Sequence, residues 1–260
     1  MLINGHELYV FQEGSADSPT IFLLHHGLGS VQSWKGQIPF FISQGFRVIA
    51  YDRWGYGSST RRVQLSMPEF EDDLLDLKAI YDSLGIRQAV LLGHSDGGTI
   101  ALYFALRFPE LVSCVITVAA HIYVEPKMSP GIESVRMAYE TQPVFQKGLQ
   151  RMHGDKTEAV FYGWYNGWCK PENLGWNMET LLDGISCPVL VVQGEEDEHA
   201  TPKHAEVIAR RISKAELWIV PSARHMLPQD MPEAFNLKTL KFLGEVGLAA
   251  EVRAGEIVLK

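Results

Sequence analysis

Cysteine is scarce in this chain, and the few cysteines form no recognisable framework. Three residues among 260 are too few and too irregularly spaced for a disulfide scaffold or a cysteine-based metal motif. A sparse, odd-numbered set of this kind is typical of free thiols in a reducing cytoplasm, where we expect the protein to be located. The three are Cys114, Cys169 and Cys187.

Long apolar runs are also missing. No window of the sequence approaches the apolar length of a membrane span, so we expect no membrane helix. The first residues, Met1–Glu7, contain no basic segment followed by an apolar run. The sequence therefore predicts no secretory signal.

Positive charge is in deficit. The 23 Lys and Arg residues face 31 Asp and Glu residues, which gives a formal net charge of −8. This balance argues against nucleic acid or an anionic membrane as a partner.

At 260 residues and 46% hydrophobic content, the chain has the size of one α/β domain with an insertion. We expect a monomer or homodimer that acts on a small molecule.

The most informative stretch is a strand, a sharp turn and a helix start around Ser95. Residues 89–92 are a continuous apolar run, typical of a strand covered on both faces, and residues from Thr99 onward suit a buried helix. Between them lies G-x-S-x-G, Gly93–Gly97. Such an elbow strains the serine backbone and exposes its Oγ at the end of the sheet. The alternative is a serine-capped helix after a glycine-rich turn.

Other apolar runs alternate with helical patterns along the chain. This alternation predicts a mostly parallel sheet with helices on both faces, preceded by a hairpin that turns at Asn4–Gly5. The remaining predicted strands are 19–24, 46–51, 114–119, 187–194 and 215–220, and the predicted helices are 31–44, 67–84, 202–212 and 232–243.

The alternation stops between residues 123 and 186, which have no strand pattern but many aromatic side chains. We predict that residues 123–186 form a helical lid inserted into a core domain of residues 1–122 and 187–260. Most of the lid aromatics are expected to pack its own core, while a minority face a substrate pocket. Trp164 and Trp168 are our candidates for that minority.

A serine nucleophile needs a base, and the base needs an orienting acid. Active sites in parallel sheets lie beyond the carboxyl ends of the strands, so the base and the acid are expected among residues that directly follow strands. His225 follows the last predicted strand, and Asp197 follows the strand before it, which gives the chain order Ser, Asp, His typical of this arrangement. His121 is the alternative base. The carboxylates around Asp197, with His199, leave a weaker alternative of a metal site.

An oxyanion hole requires two backbone N–H groups near the nucleophile. One would come from Asp96, directly after Ser95, and the other from the glycine-rich loop of residues 25–30 that follows an early strand. Leu28 is our candidate in that loop, because it follows Gly27, which lets the loop approach closely.

These motifs together resemble the α/β-hydrolase superfamily over nearly the whole chain. The resemblance implies an eight-stranded sheet with its second strand antiparallel, a lid after the sixth strand, a serine hydrolase activity and no cofactor or metal. The motifs that carry it are His26–Gly27, Asp52–Ser58, Gly93–Gly98, Gly194–Asp197 and His225.

Within the superfamily, Ser95–Gly98, residues 120–124 and the strand at 187–189 are similar to the biphenyl-hydrolase-like group, whose members cleave α-amino-acid esters. That resemblance implies that Asp96 binds a substrate ammonium. The alternative is that Asp96 only stabilises the helix N-terminus. Leu28, His121, Trp164 and Trp168 complete the predicted substrate contacts.

The predicted activity is hydrolysis of a small carboxylic ester through an acyl-enzyme on Ser95. Two rivals use the same scaffold. A carbon–carbon bond hydrolase of ring-cleavage products would use the same three residues, and a ligand-binding receptor-like protein would use the pocket without fast turnover.

Overall fold

The structure is a computed structural model that describes residues 1–63 and 65–249. The last residues assigned to the predicted core domain, 250–260, lie outside the described residues. Within the described part, strands and helices alternate up to residue 118 and again from residue 189. This is the α/β architecture that the sequence predicted.

The sheet has seven strands in the order β3-β5-β4-β6-β7-β8-β9, and every neighbouring pair is parallel except β3 with β5. Strands β1 and β2 form a separate antiparallel hairpin outside it. The strands are β1 (Leu2–Ile3), β2 (His6–Glu7), β3 (Val10–Glu13), β4 (Thr20–Leu24), β5 (Arg47–Tyr51), β6 (Ala89–His94), β7 (Val112–Val118), β8 (Val189–Gly194) and β9 (Ala215–Val220).

The strand count corrects one expectation. The resemblance implied eight strands in one sheet, but the two-residue strands of the hairpin pair only with each other in the described part of the chain. The antiparallel strand is therefore the first strand of the sheet in chain order. The sequence analysis predicted a single hairpin that turns at Asn4–Gly5 and did not predict β3 as a separate strand.

The helices cover both faces of the sheet. None of those in the described residues is both long and apolar enough to cross a membrane. They are α1 (Ile38–Ser43), α2 (Glu71–Ser83), α3 (Asp96–Arg107), α4 (Met128–Thr141), α5 (Pro143–His153), α6 (Thr157–Cys169), α7 (Lys203–Arg211), α8 (Leu227–Asp230) and α9 (Pro232–Glu245), with short 3-10 helices at Val31–Trp34, Pro109–Leu111, Gly154–Lys156, Pro171–Asn173 and Glu179–Gly184.

The central strands bury both of their faces, which explains their unbroken apolar sequences. On β6, Leu91 packs into one apolar cluster, whereas Val90 and Leu92 pack into the other, on the opposite face of the sheet. The second cluster contains Trp34, from the 3-10 helix Val31–Trp34, and Phe235, from α9. A parallel sheet covered on both sides needs this two-sided apolar pattern.

Between β7 and β8 the chain is helical. Helices α4, α5 and α6 follow one another there, and Tyr139 stacks on Phe161 with ring centroids 3.9 Å apart. Two residues in this segment, Tyr123 and Asn177, form an isolated β-bridge. We call residues 123–186 the inserted segment.

Two predicted helices differ from the observed ones. The helix expected at 31–44 is divided into a 3-10 helix and α1, with Lys35, Gly36 and Gln37 between them. The helix expected from residue 67 begins only at Glu71, because Phe70 has a left-handed backbone, with φ 55°. An apolar pattern does not reveal such backbone breaks.

We predict that Gly93→Ala lowers the free energy of unfolding by about 1–3 kcal/mol, because a Cβ at Gly93 would overlap the Gly97 carbonyl where β6 meets α3. Urea denaturation measures the change. The control is Gly148→Ala on α5, where no neighbouring heavy atom lies within 4 Å of the added Cβ. That substitution should stabilise the protein by about 0.5–1 kcal/mol. Equal effects of the two variants would contradict the close approach.

Candidate active site

Ser95 occupies a strained turn between β6 and α3. Its backbone has φ 55° and ψ −119°, a conformation that non-glycine residues rarely adopt. Its N–H donates to the Val118 carbonyl at 2.7 Å, which ties the turn to the end of β7. Glycine is required at position 97, since a Cβ there would overlap the Leu24 carbonyl. The backbone therefore forms the sharp elbow that the sequence predicted.

Asp197 and His225 meet through a hydrogen bond. His225 Nδ1 lies 2.8 Å from Asp197 Oδ2, and both side chains are buried. The other Asp197 oxygen accepts hydrogen bonds from the backbone N–H groups of His199 and Ala200. Because a carboxylate only accepts, His225 Nδ1 carries the proton, and Nε2 is left as the basic nitrogen.

The two groups shift each other's pKa. Burial alone would raise the pKa of Asp197, but the adjacent His225 and the hydrogen bonds hold it well below its usual range. Burial alone would lower the pKa of His225, yet the Asp197 carboxylate raises it above the ordinary value of 6.5. The pair thus favours an ionised carboxylate beside a basic imidazole.

Ser95 and His225 line the same cavity, which has a volume of about 1300 Å³. The cavity extends from the sheet to the inserted segment, and several other predicted site residues line it. It is larger than most small-molecule sites, which measure about 300–1000 Å³. The predicted residues that share this cavity are Ser95, His225, Leu28, His121, Trp164 and Trp168.

The backbone N–H groups of Leu28 and Asp96 have few competing partners. The Leu28 N–H lies 3.4 Å from His26 Nδ1, a long and weak contact. Asp96 is the first residue of α3, and the first N–H groups of a helix have no intrahelical acceptor. Among residues 1–63 and 65–249, neither N–H group has a strong acceptor, so both remain the predicted donors of the oxyanion hole.

A histidine from the inserted segment anchors the Leu28 loop. His153, at the end of α5, accepts from the Gly57 N–H at Nδ1 (3.0 Å) and donates from Nε2 to the Leu28 carbonyl (3.1 Å). A backbone donor on one side and a backbone acceptor on the other fix this tautomer. Burial lowers the pKa of His153 to about 4, so the ring is neutral at physiological pH. The sequence analysis placed His153 in the lid without a role.

His121 lies beside His225 with nearly parallel rings, whose centroids are 6.0 Å apart. The structure pairs Asp197 with His225 and gives His121 no carboxylate in the described residues, which favours His225 as the base. Both His121 ring nitrogens are buried and have no hydrogen-bond partner in residues 1–63 and 65–249. Since burial lowers its pKa, His121 offers a neutral N–H and a lone pair to whatever fills the cavity.

Asp96, which the resemblance implies binds a substrate ammonium, already has two partners within the protein. Its carboxylate is fully buried and does not line the cavity. Arg53 Nη2 lies 3.3 Å from one oxygen, and Trp168 Nε1 lies 3.3 Å from the other. Arg53 therefore already supplies the cation that the carboxylate needs.

The sequence analysis missed Arg53, although it follows the carboxyl end of β5 within a motif that was noted. The guanidinium also lies 3.6 Å from Asp73 and 4.4 Å from the ring centroid of Tyr56. Burial raises the pKa of Asp96, and the charge of Arg53 opposes this increase. The role of Asp96 in binding a substrate ammonium stays a prediction, and its partners in this structure are Arg53 and Trp168.

Trp164 and Trp168 both lie on α6 and both line the cavity. Trp164 approaches the Leu28 loop so closely that a Cβ at Gly27 would overlap its indole. The Trp168 ring lies 5.4 Å from the ring of His121. These two side chains thus supply aromatic surface to the cavity, and Trp168 does so beside His121.

The acidic loop after β8 gives no support to the alternative of a metal site. In the described part of the chain, no three His, Cys, Asp or Glu side chains are grouped so that they could hold a metal ion. Glu198 instead pairs with Arg224 at 3.2 Å.

The fold and the elbow define a hydrolase of the α/β class, and sequence comparison gives the same result. The family described as the alpha/beta hydrolase fold matches residues 19–162. The serine hydrolase BPHL of Homo sapiens is 30% identical over 247 residues, which cover 93% of this chain and 84% of that protein. The chain belongs to the α/β-hydrolase family and resembles the biphenyl-hydrolase-like group.

Two further relatives match nearly their whole length. The bifunctional esterase/perhydrolase DCH of Acinetobacter calcoaceticus is 27% identical over 275 residues, covering 92% of this chain and 97% of that protein. The crystal structure of the enol-lactonase from Burkholderia xenovorans superposes with a TM-score of 0.77 at 22% identity, covering 94% of this chain and 99% of the other. The second likeness shows the fold alone.

We predict that His153 contributes a pH-dependent part of the stability. Its pKa is about 4 in the folded protein against 6.5 ordinarily, so the unfolded chain binds a proton first as the pH falls. The neutral ring's contribution is complete above pH 6.5 and is lost as the pH falls towards 4. Between pH 6.5 and 4, the unfolding free energy of His153→Gln should therefore decrease less steeply with falling pH, by up to about 1.4 kcal/mol per pH unit.

Urea denaturation at a series of pH values measures this difference between the variant and the original protein. At neutral pH the variant should also be less stable by roughly 1–3 kcal/mol, because two buried backbone groups lose their partner. Parallel pH curves for the two proteins would show that His153 does not titrate in this way.

Proposed function

We propose that this protein is a serine hydrolase that cleaves small carboxylic esters, with Ser95 as nucleophile, His225 as base and Asp197 as orienting acid. One observation carries the proposal: His225, hydrogen-bonded to Asp197, lines the same cavity as a serine on a strained elbow. A serine hydroxyl becomes a useful nucleophile only when such a base adjoins it.

The proposed reaction has two halves. His225 Nε2 takes the proton of Ser95 Oγ as the oxygen attacks the ester carbonyl, and the N–H groups of Leu28 and Asp96 bind the oxyanion. His225 then gives the proton to the departing alcohol, leaving an acyl-enzyme. A water molecule repeats the cycle, releases the carboxylic acid and restores Ser95.

The inserted segment is proposed to act as the lid over this cavity. Trp164 and Trp168 line the cavity from α6, and His121 offers an unpartnered imidazole opposite them. We propose that these three side chains contact the substrate, with His121 hydrogen-bonding to it. The relatives named as a serine hydrolase and an esterase support ester hydrolysis as the class of reaction.

Ser95→Ala should lower kcat by a factor of roughly 10³ to 10⁶, with the fold unchanged, because it removes the only atom that forms the acyl-enzyme. Rates on a 4-nitrophenyl ester and labelling by a fluorophosphonate measure the loss. The control is Ser134→Ala, which changes an exposed serine lining the same cavity away from the elbow. If Ser95→Ala kept full activity and its labelling, the assignment of the nucleophile would be overturned.

Phenylalanine methyl ester should not be preferred over its N-acetyl form once each rate is divided by that ester's alkaline hydrolysis rate. A substrate ammonium in contact with a free carboxylate would gain roughly 10- to 100-fold, but Asp96 is held by Arg53 and has no free oxygen at the cavity. Initial rates on the matched pair measure the ratio. A strong preference for the free amine, removed by Asp96→Asn, would restore the amino-acid-ester specificity.

A further inference from the structure

The cavity carries an excess of positive charge that the proposed chemistry does not use. Four of the side chains lining it are cationic, namely Lys35, Lys127, Arg151 and Arg224, whereas one, Glu198, is a carboxylate. The chain as a whole has a formal net charge of −8. A cationic cavity on an acidic protein is therefore a local feature rather than a reflection of composition.

The other ionisable groups of the cavity do not cancel this charge. Glu198 is paired with Arg224 at 3.2 Å and accepts the backbone N–H of His225 at 3.1 Å. Lys127 donates to the backbone carbonyls of Asp197 and Ala200, which fix its position, and it has no carboxylate partner in the described part of the chain. Asp96, the carboxylate closest to the nucleophile in sequence, is fully buried against Arg53.

Lys35 and Arg151 are the cations that remain available to a ligand. Both are exposed, and neither has a carboxylate partner among residues 1–63 and 65–249. Lys35 follows the 3-10 helix Val31–Trp34 of the core, while Arg151 lies on α5 of the inserted segment. One cation thus comes to the cavity from the core and the other from the inserted segment.

The cavity is lined by two sets of side chains that suit different parts of a substrate. One set is aromatic or imidazole and includes His121, Trp164 and Trp168, and the other is the exposed cations Lys35 and Arg151. A substrate that used both regions would place its ester and an apolar chain inside and an anionic group at the exposed cations. A guanidinium binds a carboxylate through two parallel hydrogen bonds, which suits Arg151 to that role.

We propose that the preferred substrates are half-esters of aliphatic dicarboxylic acids, whose free carboxylate is held by Arg151 and Lys35 while Ser95 attacks the ester. This inference rests on the proposed ester hydrolysis and adds the substrate class to it. The free carboxylate lies away from the scissile bond, so it contributes to binding and selection and takes no part in the chemistry.

The test compares mono-4-nitrophenyl esters of adipate, pimelate and suberate with their carboxamide analogues, which match them in length and leaving group. For at least one chain length, kcat/KM should favour the carboxylate by roughly tenfold, the gain expected for a charge-assisted contact. Arg151→Gln and Lys35→Gln should each reduce this ratio by a factor of about 2–5, and added salt should reduce it in the original protein.

Arg87→Gln is the matched control, because it removes an exposed positive charge at the amino end of β6, away from the cavity. It should leave the ratio of carboxylate to carboxamide unchanged. A ratio near one at every chain length, with Ser95-dependent hydrolysis of the carboxamide esters, would overturn the half-ester specificity and leave the esterase proposal standing.

A binding measurement tests the anion-binding role independently of ester hydrolysis. Ser95→Ala is titrated with monomethyl adipate and with its carboxamide analogue, using the fluorescence of Trp164 and Trp168 at the cavity wall. Tighter binding of the carboxylate, weakened by Arg151→Gln, supports the anion-binding role even if turnover is absent. Equal binding of the two ligands would overturn it, whatever the kinetics of the original protein.

Discussion

The close approach of β6 and α3 around Ser95 is the constraint on which the site depends. The absence of side chains at Gly93 and Gly97 lets the helix start against the ends of the strands, and Gly97 packs on the Leu24 carbonyl. Leu24 ends β4 and leads directly into the loop that contains Leu28. The same contact therefore strains the serine backbone and fixes the elbow next to the start of the Leu28 loop.

Buried charge organises the other side of the elbow. Asp96 is balanced by Arg53, and Arg53 also approaches Asp73 on α2, which in turn binds Arg62. Isolated charges could not remain ionised at this depth, so each needs the next one as a partner. The carboxylate beside the nucleophile thus belongs to a network that joins α2, α3 and the loop after β5, and it is not a free recognition group.

The sequence predicted those features that depend on local pattern. The apolar runs of β6, β7 and β8, the glycines of the elbow and the position of Asp197 and His225 after strands are all readable within a few residues. The Arg53–Asp96 pair joins residues 43 positions apart, and the His153–Leu28 bond joins residues 125 positions apart. No periodicity encodes such contacts. The late start of α2 at Glu71 escaped prediction for a local reason, the left-handed Phe70.

The two hydrogen bonds of His153 make the core depend on the inserted segment for part of its own hydrogen bonding. This side chain belongs to α5, yet it completes the hydrogen bonding of two loops of the core, at Gly57 and Leu28. An insertion exchanged from another hydrolase would vary the pocket walls, but without a matching imidazole it would also leave those core loops short of a partner. To transfer substrate specificity between such enzymes, the inserted segment and the core loops at Gly57 and Leu28 therefore have to be exchanged together.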